Sequence, residues 1–242
     1  VLLSNVDVDG TAVGSSSITK SGLGTAFNTF SVYKSLPTVA QVDFTGSDNI
    51  SGSGTYNLKK FSVTADSTGP IGLYKFTFGV STSSESLTDS GYYLYESDSS
   101  SSLGNVIAKG SDITVTHETG QVAILEVYLD VNDDTTAAPA LEHRVIALGA
   151  TKYYTLRGYV TEDGTANNGS ISTVFAGDPV FAGTAPLKAE VTDSTAQNDF
   201  IWSDLNFDLY STSTATQTMG WFNGFRVPGL DTTSSTGQII TD

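Results

Sequence analysis

The sequence predicts an all-β protein of the immunoglobulin-like antiparallel sandwich class, and three observations lead there. Apolar and polar residues alternate at period two in one segment after another, the pattern of strands with one buried face. Clusters of Gly, Pro, Asp and Ser interrupt the alternation at about ten-residue spacing and divide the chain into about ten strands. No long stretch carries the 3.6-residue period of an amphipathic helix.

The densest of these segments runs from Phe61 to Val80. Phe61, Val63 and Ala65 alternate with Ser62 and Thr64; after the turn cluster Asp66 to Pro70, Tyr74, Phe76, Phe78 and Val80 alternate with Lys75, Thr77 and Gly79. The segment reads as two consecutive antiparallel strands at the centre of the core.

The remaining elements follow in order. Residues 1 to 25 begin with Leu2, Val6 and Val8 on one parity and become rich in Gly and Ser. They read as a short strand and a flexible linker. The strand either opens the chain's own sheet or is donated to a neighbouring subunit, where main-chain hydrogen bonds give affinity and alternate side chains fill pockets. Phe27 to Lys34 and Val39 to Phe44 are strand segments separated by Pro37, which suits an edge or a strand start because it lacks an N–H. The parity of Tyr56 and Leu58 slips against Phe61 and Val63 at Lys59-Lys60, the mark of a β-bulge. A polar loop is expected over Ser81 to Asp89. Strands follow at Gly91 to Glu96, Asn105 to Ala108, Ile113 to His117 and Gln121 to Leu129. After the acidic loop Asp130 to Pro139, strands are expected at His143 to Leu148, Lys152 to Thr161 and Ser170 to Phe175. In Lys152 to Thr161, Tyr154, Leu156 and Val160 face in while Tyr153, Arg157 and Tyr159 face out. The pattern loosens from Gly183, with strand candidates at Leu187 to Val191 and Asp199 to Asp204, then an aromatic, turn-rich stretch from Trp221 to Leu230. The division is an N-terminal extension (1–25), a sandwich (26–182) and a C-terminal β/loop segment (183–242) that packs on the sandwich or on a neighbouring subunit.

Composition removes several function classes. A net charge of −15 argues against nucleic acid and anionic membranes, which need a basic patch. The chain has no cysteine, so disulfides, zinc–thiolate sites and a catalytic thiol are excluded. No run approaches the 18 or so apolar residues of a membrane span. The first residues carry no signal-peptide pattern, and Val1 is read as the start of a processed chain or of a fragment.

Three blocks, Phe30 to Val39, Phe61 to Phe78 and Asp199 to Leu230, together resemble a group of secreted cell-surface proteins from the genomes of ultrasmall uncultured bacteria of candidate phyla. The resemblance implies export, a β-rich fold and a place at the cell envelope. It supplies no catalytic residues.

The chemistry-bearing residues are sparse. His117 and His143 lack a GxSxG elbow or any other nucleophile context and read as surface or strand-end groups. Paired carboxylates cannot be singled out among 26 acidic residues without geometry. Asn5 to Gly10 begins like an EF-hand loop, but Ser16 stands where the bidentate Glu belongs. Asp130, Asn132, Asp133 and Asp134 form a denser oxygen cluster, with Glu162-Asp163 at a neighbouring turn; the cluster either binds calcium or is a solvated acidic loop. Exposed aromatics, Tyr153 with Tyr159 or Trp202 with Trp221, could form a glycan platform, although tryptophan is usually packed. Asn49-Ile50-Ser51 and Asn168-Gly169-Ser170 fit glycosylation sequons.

The expected function is therefore a non-enzymatic extracellular structural protein that self-assembles into a surface filament or layer. Its expected contacts are the donor strand residues Leu2, Val6 and Val8 and the aromatic residues Trp202, Trp221, Phe222 and Phe225. Its partners are copies of itself and, on a second reading as an adhesin or carbohydrate-binding module, cell-envelope glycans. No cofactor is required apart from calcium at the acidic loop, if that loop binds it.

Overall fold

The computed structural model describes residues 33–44, 49–118, 122–129, 144–162, 169–175, 177–178, 200–205, 220–230 and 237–242. The first six strands are β1 (Pro37–Gln41), β2 (Gly54–Ala65), β3 (Ile71–Ser83), β4 (Glu85–Leu87), β5 (Tyr93–Ser97) and β6 (Asn105–Lys109). The rest are β7 (Ile113–Glu118), β8 (Val122–Tyr128), β9 (Arg144–Ile146), β10 (Thr151–Glu162), β11 (Ser170–Val174), β12 (Phe200–Ser203) and β13 (Gln238–Thr241). No α-helix occurs among the described residues; short 3-10 turns stand at Asp89–Gly91 and Gly110–Asp112.

All described pairings are antiparallel, and they form the two sheets of a sandwich, as the alternation predicts. Sheet one has the order β1-β2-β10-β5-β6, with β4 continuing beside β10. Sheet two has the order β13-β11-β3-β8-β7, with β12 and β9 also on β3. The 13-residue β3 is its spine: β11 and β12 share one side of it, β8 and β9 the other. Strands β12 and β13 place residues 200–203 and 238–241 of the C-terminal segment in sheet two.

The Phe61 to Val80 segment is the centre of the core, but its two strands are not hydrogen-bonded to each other. β2 lies in sheet one and β3 in sheet two, so the Asp66 to Pro70 turn is an arch that carries the chain between layers. The Asp66 carboxylate accepts from the Thr68 N–H at 2.8 Å, and the Ser35 hydroxyl ties the Gly69 carbonyl at 2.7 Å. Across the arch the two strands face each other through their aromatics. Phe61 meets Phe76 edge-to-face with centroids 5.3 Å apart and stacks on Tyr154 at 5.3 Å, while Phe76 stacks on Phe200 at 5.6 Å. Such ring pairs each add about 0.5–1.5 kcal/mol beyond the area they bury.

The expected bulge in β2 is present one residue earlier, at Leu58. Lys59 pairs with Leu156 and Asn57 with Arg157, leaving Leu58 as the extra residue. The Leu58 side chain points into the core opposite Gly158, where an added Cβ would sit 2.7 Å from Leu58 Cδ1. In β10, Tyr154, Leu156 and Val160 are buried while Tyr153 and Arg157 are half-buried and Tyr159 exposed, as the alternation predicts. The expected loop over Ser81 to Asp89 is instead the end of β3 and all of β4, joined where Ser84 takes φ 58°. Serine and threonine hide these strands in a sequence reading because they suit turns as well as sheets. Of the expected Phe27 to Lys34 strand, Tyr33 and Lys34 are not strand residues; its other residues and the Leu187 to Val191 strand lie outside the described residues.

Candidate assembly flanks and the aromatic C-terminal segment

A sandwich has two flanks, each made of one edge strand from either sheet. Here the flanks differ. On one side β1 and β13 are the edges, and the chain closes them. The Val39 N–H of β1 donates to the Pro228 carbonyl at 2.8 Å. The approach requires glycine at position 229, where φ is 84° and a Cβ would collide with the Val39 carbonyl oxygen. The Gln238 side-chain amide of β13 reaches into sheet one, accepting from Lys60 N–H at 2.8 Å and donating to the Val42 carbonyl at 3.1 Å. The Ile50 N–H donates to the Thr241 carbonyl at 2.8 Å.

Among the described residues, the opposite flank is open. β6 and β7 are consecutive strands in different sheets, joined by the three-residue turn Gly110–Asp112. Among the described residues, each pairs on one side only, with β5 and β8 respectively. Their interiors are β-branched and uncharged: Val106 is 42% exposed, and Thr114 and Thr116 are exposed. Native edges are commonly blunted by lysine, proline or a covering loop. In this flank the charged residues Lys109, Asp112 and Glu118, and His117 beside the last of them, sit at strand ends or in the turn.

The expected aromatic contacts divide. Trp202 and Trp221 are each 1% exposed, and Phe222 is buried as well. These three, expected at a subunit contact, with Trp202 and Trp221 also expected as a glycan platform, are side chains of this chain's own interior. Trp202 faces the sandwich core, its ring 5.2 Å from Tyr33 and 5.0 Å from Phe222, with its indole N–H donating to the Asn223 carbonyl at 3.1 Å. An antiparallel bridge joins Trp202 to Phe222 through hydrogen bonds of 3.0 and 2.8 Å. Trp221 lies in a second, smaller core with Ile201, Leu205 and Tyr74, on the other side of β12 from Trp202. Phe225 is half-buried beneath the Arg226 guanidinium, 5.1 Å from its ring centroid. Leu2, Val6, Val8, Asp130, Asn132, Asp133 and Asp134 lie outside the described residues, as do His143 and Asn168. Asn49 is exposed.

The other sequence candidates have clear placements. His117 is exposed, and its Nε2 lies 2.9 Å from the exposed Asp89 carboxylate; it pairs with an acid rather than with a serine nucleophile. It also borders a cleft of about 180 Å³ beside Thr82, Glu85 and Tyr92. Tyr153 and Tyr159 are six residues apart along β10, about 20 Å at strand rise, and cannot form one sugar platform. Among the described residues no group of three or more histidines or carboxylates is placed to hold a metal, and no helix is long and apolar enough to cross a membrane.

A network that sequence reading missed ties the sheets together. Glu96 of β5 accepts two hydrogen bonds from the Arg144 guanidinium of β9, at 2.8 and 3.0 Å, and a third from the Tyr154 hydroxyl at 3.0 Å. These hydrogen bonds to Glu96 raise the Arg144 pKa further, and burial holds the Tyr154 phenol well above its usual range. The separations of 48 and 58 residues left no local signal.

No family model and no curated protein matches the chain. Among solved structures, the pilus backbone RrgB from Streptococcus pneumoniae is similar over 60% of this chain and 54% of its own length, at 14% identity and a TM-score of 0.28. The chain thus spans about half of that protein. AvmM, which catalyses macrocyclization in alchivemycin A biosynthesis, is similar over 59% of this chain and 72% of its own, at 8% identity and a TM-score of 0.27. The two differ in function, so the likeness assigns no activity.

Proposed function

We propose that this protein is a non-enzymatic extracellular structural subunit that assembles with copies of itself into a surface filament or layer. The observation that carries the reading is the unequal treatment of the two flanks. One is closed by Pro228, Gln238 and Thr241, while the outer edges of β6 and β7 pair with none of the described residues and carry few charges. An open edge is a template for another strand. The occupant is the first segment of a neighbouring copy, whose Leu2, Val6 and Val8 share one parity and would present one apolar face to the flank while its backbone extends the sheet.

The test is negative-stain electron microscopy with size-exclusion chromatography on the full chain, on a chain lacking residues 1–25, and on Val106→Lys. Ordered polymers of the full chain, with folded monomers from both variants, support the reading. A full chain that stays monomeric at high concentration, or variants that polymerise as before, overturn it. A chelator arm addresses calcium at Asp130, Asn132, Asp133 and Asp134, and polymers that dissolve on chelation would assign that loop a structural role.

A further inference from the structure

The outer face of sheet one carries a basic pocket in an otherwise acidic protein. Its floor is two cross-strand pairs, Lys60 with Thr155 and Asn57 with Arg157. Residues three apart on a regular strand point to opposite faces; the bulge at Leu58 turns Asn57 back to the side of Lys60, so that four polar side chains converge. Bulges re-aim side chains in this way beside binding sites. The serine-rich turn between β5 and β6 forms the rim with Ser101 and Ser102, and Phe44 and Leu103 supply an apolar wall. The cavity is about 230 Å³.

The two cations are held in place without a carboxylate partner among the described residues. Lys60 is only 7% exposed, and its ammonium donates to the Ser100 carbonyl at 2.5 Å. One Arg157 Nη donates to the Thr55 carbonyl at 2.9 Å, while its buried Nε–H has no hydrogen-bond partner. Lys75, Arg144 and Lys152 each have a carboxylate partner. Among the described residues, Lys60 and Arg157 have none, and what sets them apart from Lys34, Lys59, Lys109 and Arg226, which also have none, is that they converge on one cavity. A buried N–H left unpaired costs about 1–3 kcal/mol in general, so the Arg157 guanidinium keeps donor capacity that the described residues do not use. A planar guanidinium selects a carboxylate or similar oxyanion. The hydroxyls and the Asn57 amide match a ring bearing hydroxyl groups, and the Phe44 wall matches its apolar face. The volume lies below the roughly 300–1,000 Å³ of sites for larger ligands, which limits the occupant to one ring.

We infer that this pocket binds a single carboxylate-bearing sugar residue, with Arg157 and Lys60 on the carboxylate and Asn57, Ser102 and Thr155 on the hydroxyls. The site lies on the face of sheet one, whereas the assembly reading concerns the β6/β7 flank, so either can fail without the other.

The test is isothermal titration of the full chain with glucuronate, glucose and sulfate, repeated on Arg157→Gln and Thr155→Val, with circular dichroism confirming the fold of each variant. The expected result is glucuronate binding at least tenfold tighter than glucose, weakened at least tenfold by Arg157→Gln and less by Thr155→Val, and reduced by added salt. Glucuronate that binds no better than glucose overturns the proposal, as does sulfate binding without glucuronate binding. Self-association lost in Arg157→Gln with no sugar binding by the wild-type chain also overturns it, and would assign the pocket to an acidic side chain of a second copy.

Discussion

Replacing Trp202 with alanine separates the interior role that the structure gives this residue from the contact role that the sequence suggested. Trp202 is 1% exposed and packs on Tyr33 and Phe222, with its indole N–H bonded to Asn223. A buried aromatic hides about 150–250 Å², worth ~4–6 kcal/mol as an upper estimate at ~25 cal/mol per Å². Tryptophan-to-alanine changes in cores commonly cost about 3–5 kcal/mol, and the lost hydrogen bond contributes about 1 kcal/mol of that order. A destabilisation of ~4 kcal/mol, with a urea slope of ~3 kcal/mol per M for a chain of this size, lowers the unfolding midpoint by about 1.3 M. Urea titration followed by fluorescence and circular dichroism measures it, with Trp202→Phe as the milder control. An unchanged midpoint, with only self-association altered, would refute the interior assignment and restore the tryptophan to the surface.

Four further outcomes are expected. Gly158→Ala drives a methyl group to 2.7 Å from Leu58 and 3.0 Å from Leu87, an overpacking that should cost about 1–3 kcal/mol in thermal unfolding. Thr173→Val should raise stability by about 1 kcal/mol, because the Thr173 hydroxyl is buried without a hydrogen-bond partner and valine keeps its shape; a loss of similar size would show that the hydroxyl is satisfied. A double-mutant cycle on Glu96→Gln and Arg144→Met should give a coupling of about 1.5–3 kcal/mol, as for a partly buried, charge-assisted pair. The raised pKa of the Tyr154 phenol predicts alkaline sensitivity. An unfolded phenol loses its proton near ~10 while the folded one retains it above that. The stabilisation is therefore complete below that pH and declines as pH climbs above it, and Tyr154→Phe should flatten the decline in pH-dependent unfolding.

The fold was largely legible because period-two alternation reports a strand with one covered face, whichever sheet it joins. That same generality hid the arch between β2 and β3. Phe61 and Val63 alternate just as they would in a hairpin with Phe76 and Phe78, and only the placement of the two strands in opposite sheets separates the cases. The strand pattern also says nothing about a second covered face. Lys75 reads as solvent-facing, yet it is buried against Glu126 at 2.7 Å, on a spine strand that also packs Tyr74 against Trp221. The tryptophans were misread for a related reason. In the short strand candidate that holds Trp202 and the turn-rich stretch that holds Trp221, too little alternation precedes the ring to give it a direction, and the bridge between Trp202 and Phe222 joins positions 20 residues apart. The phase slip before Phe61 was readable and placed the bulge within one residue. Its consequence was not, because Arg157, the second cation, comes from a strand about 100 residues later.

The contrast between the flanks bears on whether an open edge here is incidental. A sandwich that only needed to remain a monomer could protect both flanks by the same devices, and this chain possesses them. At the β1/β13 flank a glycine at a positive φ lets Pro228 reach the Val39 N–H, and a glutamine amide takes the place of two backbone groups. Each device satisfies polar groups that would otherwise lie buried at a cost of about 1–3 kcal/mol apiece. At the β6/β7 flank no described residue pairs with the outer edges, and Val106 and Thr116 stand where lysine or proline would discourage pairing. Two edges from different sheets, three residues apart in sequence, offer a neighbour both backbone groups to pair with and the seam between the layers to fill. On the proposed reading, a donated segment bearing Leu2, Val6 and Val8 on one parity would pair with one of these edges and turn its apolar face to the seam.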